Sequence, residues 1–380
     1  MLLIEADGKA LLGRHGVSVP PAALVRSGGA AGFVPAGSGP WVVKAQVPVG
    51  GRGKAGGIVA CCDPAAVAAA LDQLLGAKLK GHPVTCCLVE VAVTGAQEHY
   101  LSLLLDPAGY GVRVAWSRDG GVDVEGGTKT LDTLAAPDAA SILAAVDALL
   151  AVEPDAVARA ALRATAESLA CALLEDGLLL AEVNPLFVSP AGAVAGDAKV
   201  VIDLNLAETR PNLRRLVLDR PDAYPDAVRK LQEGFDYVEL DPEGAVGLIT
   251  TGAGLSMMVV DEMTARGLRP LNFCDLRTGQ LRGDPARLVR VLGWIAARPS
   301  VRAVLVNIFA GITDLAEFGR LLSEALDAAQ VNVPVVARLV GNGAAAGRAE
   351  LARRHPDVVL EDALPAALDR VAAICAGASA

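Results

Sequence analysis

The sequence predicts an α/β protein of more than one domain, on three observations. The chain has 380 residues, too many for one ordinary domain. Hydrophobic residues make up 53% but aromatic ones only 3%. The core is therefore built from Ala, Val and Leu, which suit helices packed on parallel sheets. The second half alternates strand-like and helical runs, and strict βα alternation implies a parallel sheet with helices on both faces.

Taken in order, 2–16 reads as an amphipathic helix that stops at Gly16. Residues 41–47, 56–61 and 84–93 read as strands, with a helix over 64–75 between the second and third. Residues 100–105 and 110–117 form a strand pair around the turn Asp106-Pro107-Ala108-Gly109. An Ala-rich helical stretch covers 137–175, followed by strands at 178–183 and 193–197. The polar stretch 207–236 reads as a helical connector, and the domain boundary is expected near Asp241-Pro242. Beyond it, strands at 245–250, 270–275, 301–309, 334–340 and 357–360 alternate with helices at 254–266, 285–297, 314–329, 343–354 and 363–375.

The formal net charge of -9 argues against nucleic acid as the main partner. Seven cysteines without CxxC spacing read as buried thiols of a reducing, cytoplasmic compartment rather than a disulfide framework. The N-terminal residues carry Glu5, Asp7, Lys9 and Arg14, which does not fit a signal peptide. No charge-free apolar run is long enough for a membrane span, so no membrane partner is expected.

The chemistry-bearing stretch is Val42-Val43-Lys44 followed by the glycine loop Gly50-Gly51-Arg52-Gly53-Lys54-Ala55-Gly56-Gly57. Glycines let backbone N–H groups crowd an anion and cations neutralise it, so the loop suits a polyphosphate; a flexible surface turn is the competing reading. It lacks the P-loop Gly-Lys-Ser/Thr pattern. Asn184 and Asp197, on neighbouring strand-like segments, make either an oxygen site for Mg²⁺ or a pair of solvated strand ends. In the second half, the Gly-rich loops 250–254 and 309–313 each lead from a strand into a helix, where N–H groups can meet an anion.

With these segments together, the chain resembles the β subunits of succinyl-CoA synthetase and malate–CoA ligase. The likeness is carried by Pro40-Trp41-Val42-Val43-Lys44 with the glycine loop, Leu-Val-Glu at 88–90, Glu-Val-Asn-Pro-Leu at 182–186, Gly252-Ala253-Gly254-Leu255, the run 304–309 and the run 331–336. It implies a two-lobed ATP-grasp domain over 1–240, with a small lobe of about 20–95 inserted, followed by a flavodoxin-like doubly wound ligase domain over 241–380. It further implies that Lys44 and the backbone of Gly51, Arg52 and Gly53 hold nucleotide phosphates. Glu90 to Val93 would face the base, Glu98 the ribose or phosphate side, and Asn184 and Asp197 the Mg²⁺. Glu182 would orient a phosphorylated histidine supplied by an α subunit, which also carries the CoA site; the helix after Gly311 would point at that histidine. The implied reaction joins CoA to a small carboxylate at the expense of ATP or GTP. A standalone ATP-grasp carboxylate ligase and a non-catalytic nucleotide-binding subunit are the alternatives.

The second half departs from the family where the acid would bind. Thr251 stands where the family usually has Asn, Arg277 and Thr278 lie where it has a Gly-rich run, and Gly311-Ile312-Thr313-Asp314 replaces Gly-Ile-Val-Arg. A shortened insert is also expected around 126–137. Polar groups left unpaired by a wrong substrate reject it. Thr251, Arg277, Gly311, Ile312 and Thr313 are therefore candidates for a changed acid preference, and Arg277 for an added anion contact. Arg277 facing solvent is the other reading. Asp314 is expected to cap its helix rather than face the anion.

Overall fold

The computed structural model describes residues 1–121 and 130–377. Of the expected shortening around 126–137, residues 126–129 lie outside that range. Contacts divide the chain into two units, Met1–Tyr224 and Pro225–Ala380.

In the first unit, α1 (Glu5–Arg14) leads to β1 (Ala22–Arg26), β2 (Trp41–Ala45), β3 (Ile58–Cys61), α2 (Pro64–Leu74), the short pair β4 (Lys78–Leu79) and β5 (His82–Pro83), and β6 (Cys86–Val91). Strands β1-β6-β2-β3 form one antiparallel sheet. Helix α2 starts where it should, with Pro64 in its first turn and the Asp63 carboxylate accepting from Ala66 N. Its Val67, Ala70, Leu71 and Leu74 cover Val43, Ala45 and Val89 of the sheet.

The chain continues through β7 (Gln97–Asp106), β8 (Gly111–Ser117), β9 (Leu131–Ala135), α3 (Ala139–Leu150), α4 (Ala156–Asp176), β10 (Leu178–Ser189), β11 (Gly192–Ala195), β12 (Ala198–Ile202) and α5 (Pro211–Leu218). The single Ala-rich helix expected over 137–175 is two. Pro154 interrupts it, and Asp155 caps the second with bonds from Val157 and Ala158 N. The second sheet runs β11-β10-β7-β8-β9, with β12 also on β10. Along one edge of β10, β12 pairs with 178–183 and β11 with 186–189. Asn184 and Pro185 therefore lie at a gap in that edge, facing Gly196 and Asp197. Gly196 donates to Pro185 O at 2.8 Å, and a Cβ there would stand 2.3 Å from the Phe187 ring, so only glycine allows this approach.

The second unit begins earlier than the expected boundary near Asp241-Pro242. After α6 (Pro225–Glu233), β13 (Asp236–Glu239) pairs antiparallel with residues 272–275 in the second unit's own sheet, which assigns the end of the polar connector to this unit. Then follow β14 (Val246–Thr250), α7 (Ala253–Ala265), β15 (Asn272–Asp275), α8 (Ala286–Ala296), β16 (Ala303–Ala310), α9 (Leu315–Ala329), β17 (Val335–Gly341), α10 (Ala344–Arg354), β18 (Val359–Leu360) and α11 (Leu364–Cys375). The sheet order is β13-β15-β14-β16-β17-β18, parallel apart from β13. Leaving out the β13 edge, this is the flavodoxin-like order. Helices α8, α9 and α10 cover one face and α7 and α11 the other. The order reverses between β14 and β16, whose carboxyl ends carry Thr251 and the loop 310–314.

Candidate active site

The first unit encloses a cavity of about 550 Å³ lined by the glycine loop from Gly50 to Lys54, by Tyr100, Glu182, Asn184 and Asp197, and by Glu5, Lys80 and Lys199. Each wall has a local cause. Gly51 holds a positive φ of 66° and so turns the chain after β2. The carbonyl of Arg52 then accepts from Ala55 N and Gly57 N, closing the loop on itself. Lys80, from the β4–β5 pair, donates to Gly50 O at 2.7 Å. On the other wall Glu182 lies on β10 between Ser102 of β7 and Lys199 of β12, and Tyr100 OH donates to it at 3.4 Å.

Beneath the glycine loop lies a set of three cations and three carboxylates, all buried but Asp197, whose side chain is 29% exposed. Lys44 Nζ is 2.7 Å from Glu5, 2.7 Å from Glu90 and 2.5 Å from Gly196 O. Lys9 Nζ is 2.8 Å from the same Glu5 oxygen, 2.5 Å from Glu90 and 2.8 Å from Gly196 O. Arg52 folds back under the loop, 2.7 Å from the other Glu5 oxygen and 2.9 Å from both oxygens of Asp197. Burial works against the charge on Glu5, yet Lys9, Lys44 and Arg52 outweigh it and hold its pKa well below the carboxylate range. Burial would lower Lys44, but Glu5, Glu90 and Asp197 raise it above the usual lysine value. Asp197 is pushed up by burial and by the Glu5 charge, against the pull of Arg52.

The expected metal pair is brought together on one wall. Asn184 is oriented by the backbone of Gly121, whose N–H donates to Oδ1 at 2.6 Å while Nδ2 donates to its carbonyl at 2.9 Å. Its amide oxygen retains a second lone pair. One carboxylate and one amide oxygen beside a phosphate-sized cavity suit Mg²⁺, which takes few protein ligands and completes its shell with water and phosphate. No group of three His, Cys, Asp or Glu able to hold a metal occurs among the described residues.

Other expected residues lie elsewhere. Glu90 is 2% exposed, with its carboxylate turned to Lys9 and Lys44 and away from the cavity wall. Val93, half-buried after β6, and Glu98, exposed on β7, do not line the cavity either. Lys44 stands behind the cavity wall, with its side chain only 9% exposed. Sequence reasoning missed Glu5, Lys9, Lys80 and Tyr100. The available signal was the Glu5/Lys9 pair at helical i,i+4 spacing beside Ile4, Leu11 and Leu12.

In the second unit three threonines of the loops expected to meet the acid are brought together. Thr278 Oγ1 is 3.2 Å from Thr251 Oγ1 and 2.8 Å from Thr313 Oγ1, so one line of hydroxyls ties three loops. Asp275 accepts from Gly252 N and Arg277 N, at 2.8 and 3.2 Å. Arg277 is not a free anion contact: its guanidinium is 2.9 Å from Asp236 on β13. Gly311 and Ile312 are exposed, Ile312 at 99%. Asp314 caps α9, accepting from Ala316 N at 2.9 Å.

Known proteins resemble this chain in both of its parts. The ATP-grasp domain family matches residues 2–188, and the CoA-ligase family matches 249–363. Succinate–CoA ligase [ADP-forming] subunit beta of Chloroflexus aurantiacus is 36% identical over 369 residues, covering 93% of each chain. The subunit beta 2 of Streptomyces coelicolor is 35% identical, covering 100% of this chain and 98% of its own. The chain belongs to the succinate–CoA ligase β-subunit family. It is thus an ATP-grasp chain of the ADP-forming acid–CoA ligase class, with the two folds expected from its sequence. ATP citrate lyase from Methanothrix soehngenii, solved with citrate and coenzyme A, shares the fold at a TM-score of 0.74 and 18% identity, covering 99% of both chains. No helix among the described residues is long and apolar enough to cross a membrane.

Proposed function

We propose that this chain is the β subunit of an ADP-forming acyl-CoA ligase, working with an α subunit that carries the phosphorylated histidine and the CoA site. The overall reaction is ATP plus carboxylate plus CoA giving ADP, phosphate and acyl-CoA. The observation that carries the reading is the convergence of the glycine loop, Arg52, Glu182, Asn184 and Asp197 on one cavity. The relatives' names support the reaction class.

In this reading the loop N–H groups of Gly51 to Gly53 and the charge of Arg52 meet the phosphates, with Lys44 stiffening the floor. Asn184 and Asp197 would hold Mg²⁺, which offsets phosphate charge when bound. Glu182, already fixed by Tyr100, would accept a hydrogen bond from one imidazole nitrogen of the partner histidine and leave the other free to take the phosphoryl group. The acid is a small carboxylate that meets the hydroxyls of Thr251, Thr278 and Thr313 rather than a free cation. This favours an acid other than succinate, one with a hydroxyl of its own.

The test is CoA-dependent ADP release by the chain together with its α subunit across succinate, malate and other hydroxylated acids. Turnover ranking a hydroxylated acid above succinate supports the acid assignment, and a preference for succinate refutes it. Absence of CoA-dependent turnover with every acid, while Mg-ATP still binds, would contradict the catalytic reading.

A further inference from the structure

Glu5 stands at the centre of the buried charges beneath the glycine loop. Its side chain is fully buried, with one oxygen shared by Lys9 and Lys44 and the other bonded to Arg52. Arg52 has a second carboxylate partner in Asp197, which is also the carboxylate of the proposed metal pair. Asp197 therefore has two claims on it. A divalent cation on its oxygens repels the guanidinium 2.9 Å away and weakens that bond.

We infer that Glu5 is a positioning residue that keeps Arg52 and Lys44 beneath the phosphates when Asp197 turns from Arg52 to the metal, and so sets the metal dependence of nucleotide binding. This rests on the nucleotide reading proposed above. Charge counting supports it. Without metal, Lys9, Lys44 and Arg52 balance Glu5, Glu90 and Asp197. Once Asp197 serves the metal, the remaining set carries one net positive charge next to the phosphates. Without the Glu5 charge, Asp197 becomes the only carboxylate bonded to Arg52 among the described residues, and the metal must compete with a buried guanidinium for it.

Isothermal titration of the full-length chain with ADP, with and without Mg²⁺, tests this. Glu5→Gln is expected to weaken Mg-ADP binding by about tenfold and raise half-saturating Mg²⁺ by a similar factor, the usual scale for a residue that orients a metal ligand. Metal-free ADP affinity stays the same or tightens, and Glu5→Asp recovers part of the loss. Equal loss with and without Mg²⁺, or no loss, overturns the inference. If Glu5→Gln does not fold, Glu5→Asp reads the same point, since the shorter side chain loosens its hold on Arg52. It should show part of the same Mg²⁺-selective loss, and an unselective one overturns the idea. If the native chain binds neither form of ADP, the nucleotide reading itself falls.

Discussion

Replacing Lys44 by Met removes one of three cations from a largely buried set that holds as many carboxylates, with little change in side-chain length. The lysine makes two ion contacts of 2.7 Å and donates to the Gly196 carbonyl. At an effective dielectric constant of about 20, each such contact is worth roughly 6 kcal/mol before desolvation is counted. Desolvation offsets most of that gain. What remains on breaking one partner out of a buried pair is a loss of about 3–5 kcal/mol, because a carboxylate is left uncompensated. The charge count then gives a sharper expectation. Lys44→Met leaves Glu5, Glu90 and Asp197 facing Lys9 and Arg52, and adding Glu90→Gln restores the balance. The double variant should recover about 1–3 kcal/mol of stability but none of the nucleotide affinity. Urea unfolding in a Trp294→Phe background isolates the first unit, because the remaining tryptophans, Trp41 and Trp116, both lie there. If Glu90→Gln deepens the loss by its own single-variant cost, the two side chains are independent and the charge-balance reasoning is wrong.

Four further outcomes follow from other parts of the chain. His99 is fully buried with neither ring nitrogen hydrogen-bonded among the described residues, and burial holds its pKa below the usual 6.5 despite the nearby charges of Glu153 and Asp119, with Arg118 adding to the depression. The unfolded chain then takes up a proton near that value while the folded one does not. Stability should fall as pH drops below about 6.5, by at most about 1.4 kcal/mol per pH unit for this group. His99→Leu should flatten that slope between pH 7.5 and 5.5 in urea titrations (assay values of about two pH units apart, chosen to span the ordinary histidine range). Arg277→Ala breaks a half-exposed pair with Asp236 and should cost under about 1 kcal/mol. It should leave the ranking of acids unchanged, whereas Thr278→Val should raise KM for the acid and not for ATP in steady-state assays. Asp314→Ala removes the α9 cap and should lower stability by about 1 kcal/mol, read as a shift in the unfolding midpoint of the second unit.

The second unit was the more legible half because β14, β16 and β17 are largely apolar runs between helices. β14 reads Val-Gly-Leu-Ile-Thr and is buried throughout. Strand β1, Ala-Ala-Leu-Val-Arg, is a sheet edge with one buried residue, so neither alternation nor a long apolar run announces it. Strand β12 does alternate, but its Lys199 and the preceding Gly196-Asp197 drew it into a motif instead. The glycine loop was readable from its residues alone. The charges under it were not, since Glu5 and Lys9 at i,i+4 look the same on a solvated helix, and only the approach of Lys44 and Gly196 makes them a buried site. Arg277 was misjudged for a related reason: its partner Asp236 is 41 positions away, across what read as a domain boundary.

In the proposed function this chain passes the γ-phosphoryl group of ATP to a histidine on a partner subunit. Radiolabelled Mg-ATP incubated with the chain and its α subunit, without CoA or acid, measures this directly. An acid-labile label on the α subunit is expected, lost when Glu182→Gln or Asp197→Asn replaces the native chain. Label that never reaches the α subunit, although the native chain binds Mg-ATP, would contradict it.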